Sequence, residues 1–167
     1  MTAIRAATVA DAPAIGEVHV ASWQAAYRGL LPDAFLAGLS VEPRAASWAR
    51  RIGDPAIPGQ VLVVEDAGGI AGFAAYGPGQ DEGQLYALYL LPDRWGRGLG
   101  RLLHDQVVLD LAAAGHRRAV LWVLATNERA KAFYGRQGWV DDAATQTETI
   151  DDGRVTLEEM RFRRSLP

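Results

Sequence analysis

Leu88-Tyr89-Leu90-Leu91-Pro92-Asp93-Arg94-Trp95-Gly96-Arg97-Gly98-Leu99-Gly100 is the stretch that decides the fold. An apolar run stops at Pro92. A loop with alternate glycines at 96, 98 and 100 follows. Leu99, Leu103, Val107 and Leu111 then recur every four residues until Gly115, which predicts a helix over Gly98–Ala114. A strand therefore runs through a glycine loop into a helix N-terminus. Glycine lets a ligand approach the backbone closely. The unpaired amides and positive dipole end of the helix favour an anion such as pyrophosphate. A Walker A loop needs Gly-Lys, and the sequence has none. A dinucleotide fingerprint needs a third glycine where Arg101 or Leu103 stands. Glycines that serve only the turn remain an alternative at this point.

Outward from the loop, Val61–Glu65, Ile70–Tyr76 and Gln84–Leu91 read as an antiparallel meander, with Gly68-Gly69 as a hairpin signal. Ile4–Ala7 is a candidate first strand. Thr8 and Asp11 resemble a capping box that opens a helix through Ile15, Val18, His19, Ser22 and Trp23, ending near Arg28-Gly29. Shorter helices are expected from Pro32-Asp33 and over Ala45–Ile52. Beyond the long helix come a buried strand at Ala119–Leu124 and a helix over Asn127–Gln137. Two strands, Trp139–Ile150 and Val155–Arg163, follow around Asp152-Gly153. The order is one strand, two or three helices, three strands, then helix, strand, helix and two strands. It predicts an α+β single domain over residues 1–167, with about seven strands in a mostly antiparallel sheet and about four helices.

Composition narrows the function. The 167 residues contain no Cys, which excludes a disulfide framework, a Cys-based zinc site and a Cys nucleophile. Seventeen basic against twenty acidic residues give a net charge of −3, a poor footprint for nucleic acid. No run approaches the roughly 18 apolar residues of a membrane span, and residues 1–15 lack the apolar core of a signal peptide, so a cytoplasmic protein is expected. His19, His104 and His116 show no metal-ligand spacing. His104 and His116 are read as surface residues. No G-x-S-x-G elbow is present.

Trp95-Gly96-Arg97-Gly98-Leu99-Gly100 resembles the acyl-CoA loop of the GNAT superfamily of N-acyltransferases, Gln/Arg-x-x-Gly-x-Gly/Ala. It matches at Gly98 and Gly100 and departs at its first position, which is Trp95 here, preceded by Arg94. Asn127, Phe133-Tyr134 and Gly138-Trp139 match the next family motif more closely. Ile4-Arg5, Thr8 and Asp11, with His19, Ser22-Trp23 and Tyr27, resemble family N-termini. The resemblance covers nearly the whole chain.

It implies an acyl-CoA co-substrate, acetyl-CoA by default, and two central strands that splay to admit it, here Gln84–Leu91 and Ala119–Leu124; no metal is expected. Gly96, Arg97, Gly98, Leu99, Gly100 and Arg101 would hold the pyrophosphate. Leu88, Tyr89 and Leu90 would offer backbone to the pantetheine amides. Asn127, a good N-cap in its own right, would also bind the cofactor arm. Tyr134 would hydrogen-bond the leaving sulfur. A phenol near pKa 10 facing a thiol near 8.5 favours stabilising the thiolate over full proton transfer, by about 2 kcal/mol. Trp23 and Tyr27, one helical turn apart, would wall the acceptor pocket; core packing is the competing role.

The acceptor ammonium must lose a proton, which costs about 4.6 kcal/mol at pH 7 for a lysine-like amine. The carboxylates that some family members carry on the two central strands are replaced here by Gln84 and Trp122. Glu82, beside Asp81, is the candidate base or water relay, with a plain turn role as its alternative. The expected activity is direct transfer of acetyl to a primary amine of a small molecule in a ternary complex. A protein N-terminus or lysine is the alternative acceptor. An acyl-CoA sensor without turnover and a generic nucleotide-phosphate binder are the rival functions. The resemblance also carries an expectation of a homodimer.

Overall fold

The computed structural model describes residues 1–167. The strands are β1 (Ala3–Ala6), β2 (Gln60–Asp66), β3 (Gly69–Pro78), β4 (Gly83–Leu90), β5 (Arg118–Leu124), β6 (Val140–Ile150) and β7 (Val155–Ser165). The helices are α1 (Ala12–Ala26), α2 (Asp33–Ala37), α3 (Val41–Gly53), α4 (Leu99–Ala113) and α5 (Glu128–Arg136). The expected element order holds, with five helices. α1 stops at Ala26, short of the expected Arg28-Gly29, and α3 begins four residues earlier than its sequence reading.

One seven-stranded sheet runs β1-β2-β3-β4-β5-β7-β6. Every neighbouring pair is antiparallel except β4 with β5. That parallel pair bonds only at Gly83 with Ala119 and Gln84 with Val120. Period-2 alternation sends Leu62, Val64, Ala74 and Tyr76 to one face, where Leu99, Leu103, Val107 and Leu111 of α4 cover them. Val61, Val63, Phe73 and Ala75 go to the other face, against Ile15 and Val18 of α1.

The strands part because β4 carries a bulge. Ala75 pairs with Ala87 and Tyr76 with Leu85, which leaves Tyr86 as the extra residue. A bulge bends its strand and increases the local twist, and here it follows the last β4–β5 pair by two residues. The Tyr86 hydroxyl donates to the Pro78 carbonyl. Its ring lies against Gly77, where an added Cβ would sit 2.9 Å from the Tyr86 oxygen and 2.6 Å from Gly59 Cα. Gly77 is thus a strand residue that has to stay small.

His104 is buried, contrary to its surface reading. It lies on the same α4 stripe as Gly100, Val107 and Leu111. Its Nε2 accepts from Trp139 Nε1 at 2.8 Å, so the ring proton is on Nδ1, 3.0 Å from Asp105 Oδ1. Burial lowers its pKa and keeps the ring neutral. Replacing His104 by Ala leaves the buried Trp139 N–H unpaired. Urea denaturation is expected to show a loss of about 1–3 kcal/mol, plus a packing contribution.

Candidate active site

The gap between β4 and β5 is where the candidate residues gather. Leu91 N–H donates to Ala71 on the β3 side. Antiparallel alternation therefore turns the main-chain groups of Leu90 and Leu88 toward the gap. The Leu90 carbonyl accepts from Trp95 Nε1 at 3.1 Å. Beyond Trp95, Gly96 and Gly98 take φ of 76° and 82°, and Gly98 caps α4. The first amides of α4 face a cavity of about 830 Å³ lined by Gly96, Gly98, Leu99, Gly100 and Arg101. Arg97 is exposed and does not line it.

Arg94 does not stand in for the loop's departed first position. Its Nε holds Asp66 Oδ2 at 2.7 Å, and it also pairs with Asp93, which ties the loop back to the β2–β3 turn. A further guanidinium reaches the loop from the opposite side of the gap. The Arg129 guanidinium of α5 stacks on the Trp95 ring at 3.5 Å. The sequence reading missed Arg129, since no local pattern links residues 95 and 129.

A second cavity of about 680 Å³ lies on the α1 side of the gap. Leu88, Leu90, Trp95, Arg129, Ala130 and Tyr134 line both cavities, so the two adjoin along the gap. Tyr134 sits at the junction. Burial, and after it the neighbouring Tyr89 phenol, raises its pKa, so the phenol stays protonated. Asn127 is buried and caps α5, its Oδ1 accepting from Ala130 N–H at 3.1 Å. Its side chain lines the second cavity. Trp23 and Tyr27 meet edge to face at 4.9 Å in the same wall, with Tyr89 beside them.

Glu82 lines neither cavity. Its carboxylate is held by Arg118 at 3.2 Å and Arg163 at 3.1 Å, at the closed end of β4. The candidate-base reading of Glu82 is corrected accordingly: two guanidinium groups occupy it, and Gln84 rather than Glu82 reaches the cavity. The carboxylates that do line the cavity are Glu148 on β6 and Glu159 on β7. Burial and the nearby Glu148 raise the pKa of Glu159. Neither was singled out in the sequence. The Asp152-Gly153 turn carried the signal, because a hairpin closed there sets Gln146 opposite Glu159 and Glu148 opposite Leu157.

The chain belongs to the GNAT acetyltransferase family. The Acetyltransferase (GNAT) family model matches residues 23–139. The uncharacterized N-acetyltransferase YuaI of Bacillus subtilis (strain 168) is 31% identical over 132 residues, 76% of this chain and 74% of that protein. Two solved structures share the fold. The GCN5-related N-acetyltransferase from Rhodopseudomonas palustris aligns with TM-score 0.81 at 24% identity, over 99% of this chain and 96% of that one. The PaiA N-acetyltransferase from Thermoplasma acidophilum, solved with coenzyme A, aligns with TM-score 0.76 at 18% identity, over 99% of each chain.

His19 supports the wall from behind. It stacks on Tyr89 at 5.6 Å, and its Nδ1 accepts from Trp48 Nε1 at 3.0 Å. Burial, then the charge of Arg44, lowers its pKa to about 4. An unfolded His titrates near 6.5. The unfolded chain therefore binds the extra proton first as pH falls. The contribution of His19 is complete above about pH 6.5 and is lost as pH falls to about 4, by up to about 3 kcal/mol. Denaturation midpoints between pH 7 and 4.5 are expected to fall less in His19→Asn, whose side-chain oxygen can still accept from Trp48.

Proposed function

We propose that this acetyltransferase moves the acetyl group of acetyl-CoA to a primary amine of a small molecule, directly and without an acyl-enzyme. The observation that carries this is the pair of adjoining cavities along the β4–β5 gap: one begins at the α4 N-terminus, the gap-facing backbone of Leu88 and Leu90 lies between, and the aromatic-walled one shares Tyr134 with it. Its parts fit the cofactor in order. The α4 amides and the glycine loop (Gly96 to Arg101) suit a diphosphate. The gap-facing groups of Leu88 and Leu90, and the Asn127 side chain, suit an amide-bearing arm. The acceptor cavity has the size of small-molecule sites, about 300–1,000 Å³.

In the reaction the amine nitrogen attacks the thioester carbonyl carbon, the C–S bond breaks, the nitrogen gives up a proton and the sulfur gains one. Tyr134 serves the sulfur. A phenol with a raised pKa keeps its proton and donates a hydrogen bond to the developing thiolate, which stabilises charge where it forms. Direct transfer is supported by the absence of any Cys and of a nucleophile elbow.

Acetyl-CoA and CoA are expected to raise the melting temperature by several degrees at about 100 times their Kd, with no shift from ATP or NAD at equal concentration. Tyr134→Phe is expected to keep the CoA shift and lose about 100-fold or more in turnover of an accepted amine. A flat CoA response beside an ATP or NAD shift would exclude the proposal. Full turnover in Tyr134→Phe would remove Tyr134 from the chemistry.

A further inference from the structure

Trp95 stands where the family pattern has Gln or Arg, and its surroundings give that departure a use. The indole Nε1 donates to the Leu90 carbonyl at 3.1 Å. That carbonyl faces the gap, so the bond fixes the ring on the gap side of β4. The ring in turn carries the Arg129 guanidinium, 3.5 Å from its centroid. Leu90, Trp95 and Arg129 thus make a chain of contacts from β4 across the gap to α5. All three line both cavities.

Arg129 is held by this stack and not by an ion pair. No carboxylate lies within 4.0 Å of its guanidinium, and Glu128 beside it is taken by Lys131 at 2.8 Å. Ordering a solvent-facing arginine costs rotamer freedom. Here part of that freedom is already given up on an indole that is itself anchored, and a group ordered before the ligand arrives binds it with less loss. The place matters as much as the order. Arg129 shares its cavity with Gly96, Gly98 and Gly100 at the α4 N-terminus, and no Asp or Glu lines that cavity. The arginines of the loop itself are placed differently. Arg94 is tied to Asp66 and Asp93, Arg97 does not line the cavity, and Arg101 lies 3.6 Å from Asp105. Arg136, seven residues and so about 10 Å further along α5, lines the same cavity.

Resting on the acyl-CoA reading of this cavity, we infer that Arg129 binds the cofactor diphosphate from the α5 side, and that Trp95 is the positioning residue that holds Arg129 there. A guanidinium offers two parallel N–H groups that match phosphate oxygens, while the α4 amides meet the same group from the loop side. A planar guanidinium also stacks on an aromatic face in a way that an ammonium does not, which fits an arginine to this position.

The test is calorimetric titration of CoA and 3′-dephospho-CoA into the wild-type chain, Arg129→Gln, Trp95→Gln and the double variant. Both ligands carry the diphosphate, and CoA alone carries the 3′-phosphate. Trp95→Gln installs a residue of the family pattern. Arg129→Gln is expected to weaken both ligands about tenfold or more, as the loss of one charge-assisted contact implies. That deficit is expected to shrink as KCl is raised from about 0.05 M to about 0.5 M. Trp95→Gln is expected to weaken both ligands about threefold, the share of a cation–π platform. The double variant is expected to bind as Arg129→Gln does and no more weakly, because Trp95 acts through Arg129. Unchanged affinity in Arg129→Gln, a deficit confined to CoA, a deficit indifferent to salt, or additive losses in the double variant would overturn the inference. If the wild-type chain binds neither ligand, the acyl-CoA reading falls and the inference with it. If it binds both and the variants match it, the Arg129 assignment falls alone.

Discussion

The bulge at Tyr86 is the constraint from which the site follows. A sheet satisfies its main-chain groups by pairing each strand along its length. β4 pairs fully with β3 but keeps β5 for only two residues. One extra residue, locked by the Tyr86 contact to Pro78 and by the smallness of Gly77 and Gly59, turns the rest of β4 away. Without that turn Leu88 and Leu90 would bond to β5, and the sheet would have no interior opening.

The opening fixes where the other parts can act. β4 ends in the glycine loop, so the α4 N-terminus points at one mouth. β5 ends just before Asn127, so α5 starts across the gap and carries Arg129 and Tyr134 to the junction. The Trp95–Arg129 stack joins the two sides at 3.5 Å. The family pattern has Gln or Arg at the loop's first position. Here an indole caps the Leu90 carbonyl, and a guanidinium from the opposite helix adds to the charge of Arg97 and Arg101.

Most of the architecture was legible because it rests on local signals. Alternation gave the strands, the four-residue repeat gave α4, and Gly98, Asn127 and Tyr134 stood in a recognisable order. What escaped depends on pairing between distant segments. The bulge is visible only once β3 is laid against β4. Glu82 looked available because Arg118 and Arg163 are 36 and 81 positions away. His104 is a different case. Its place on the buried stripe of α4 was readable, and its polarity outweighed the periodicity. Glu148 and Glu159 were likewise within reach, since the register of their hairpin follows from Asp152-Gly153.

The splayed strands also bear on self-association. An unpaired strand edge is a template for other strands, and proteins guard such edges at the outside of a sheet. This fold keeps one in its middle. The free stretch of β4 is flanked by β5, packed between α4 and α1, and closed at one end by the Gly83–Ala119 pair. A strand from another chain would need side-chain clearance on both faces, whereas a slender arm with amides and no bulky branches needs almost none. The same geometry that leaves backbone groups open to a ligand therefore screens them from aggregation, and the width of the slot sets the selection.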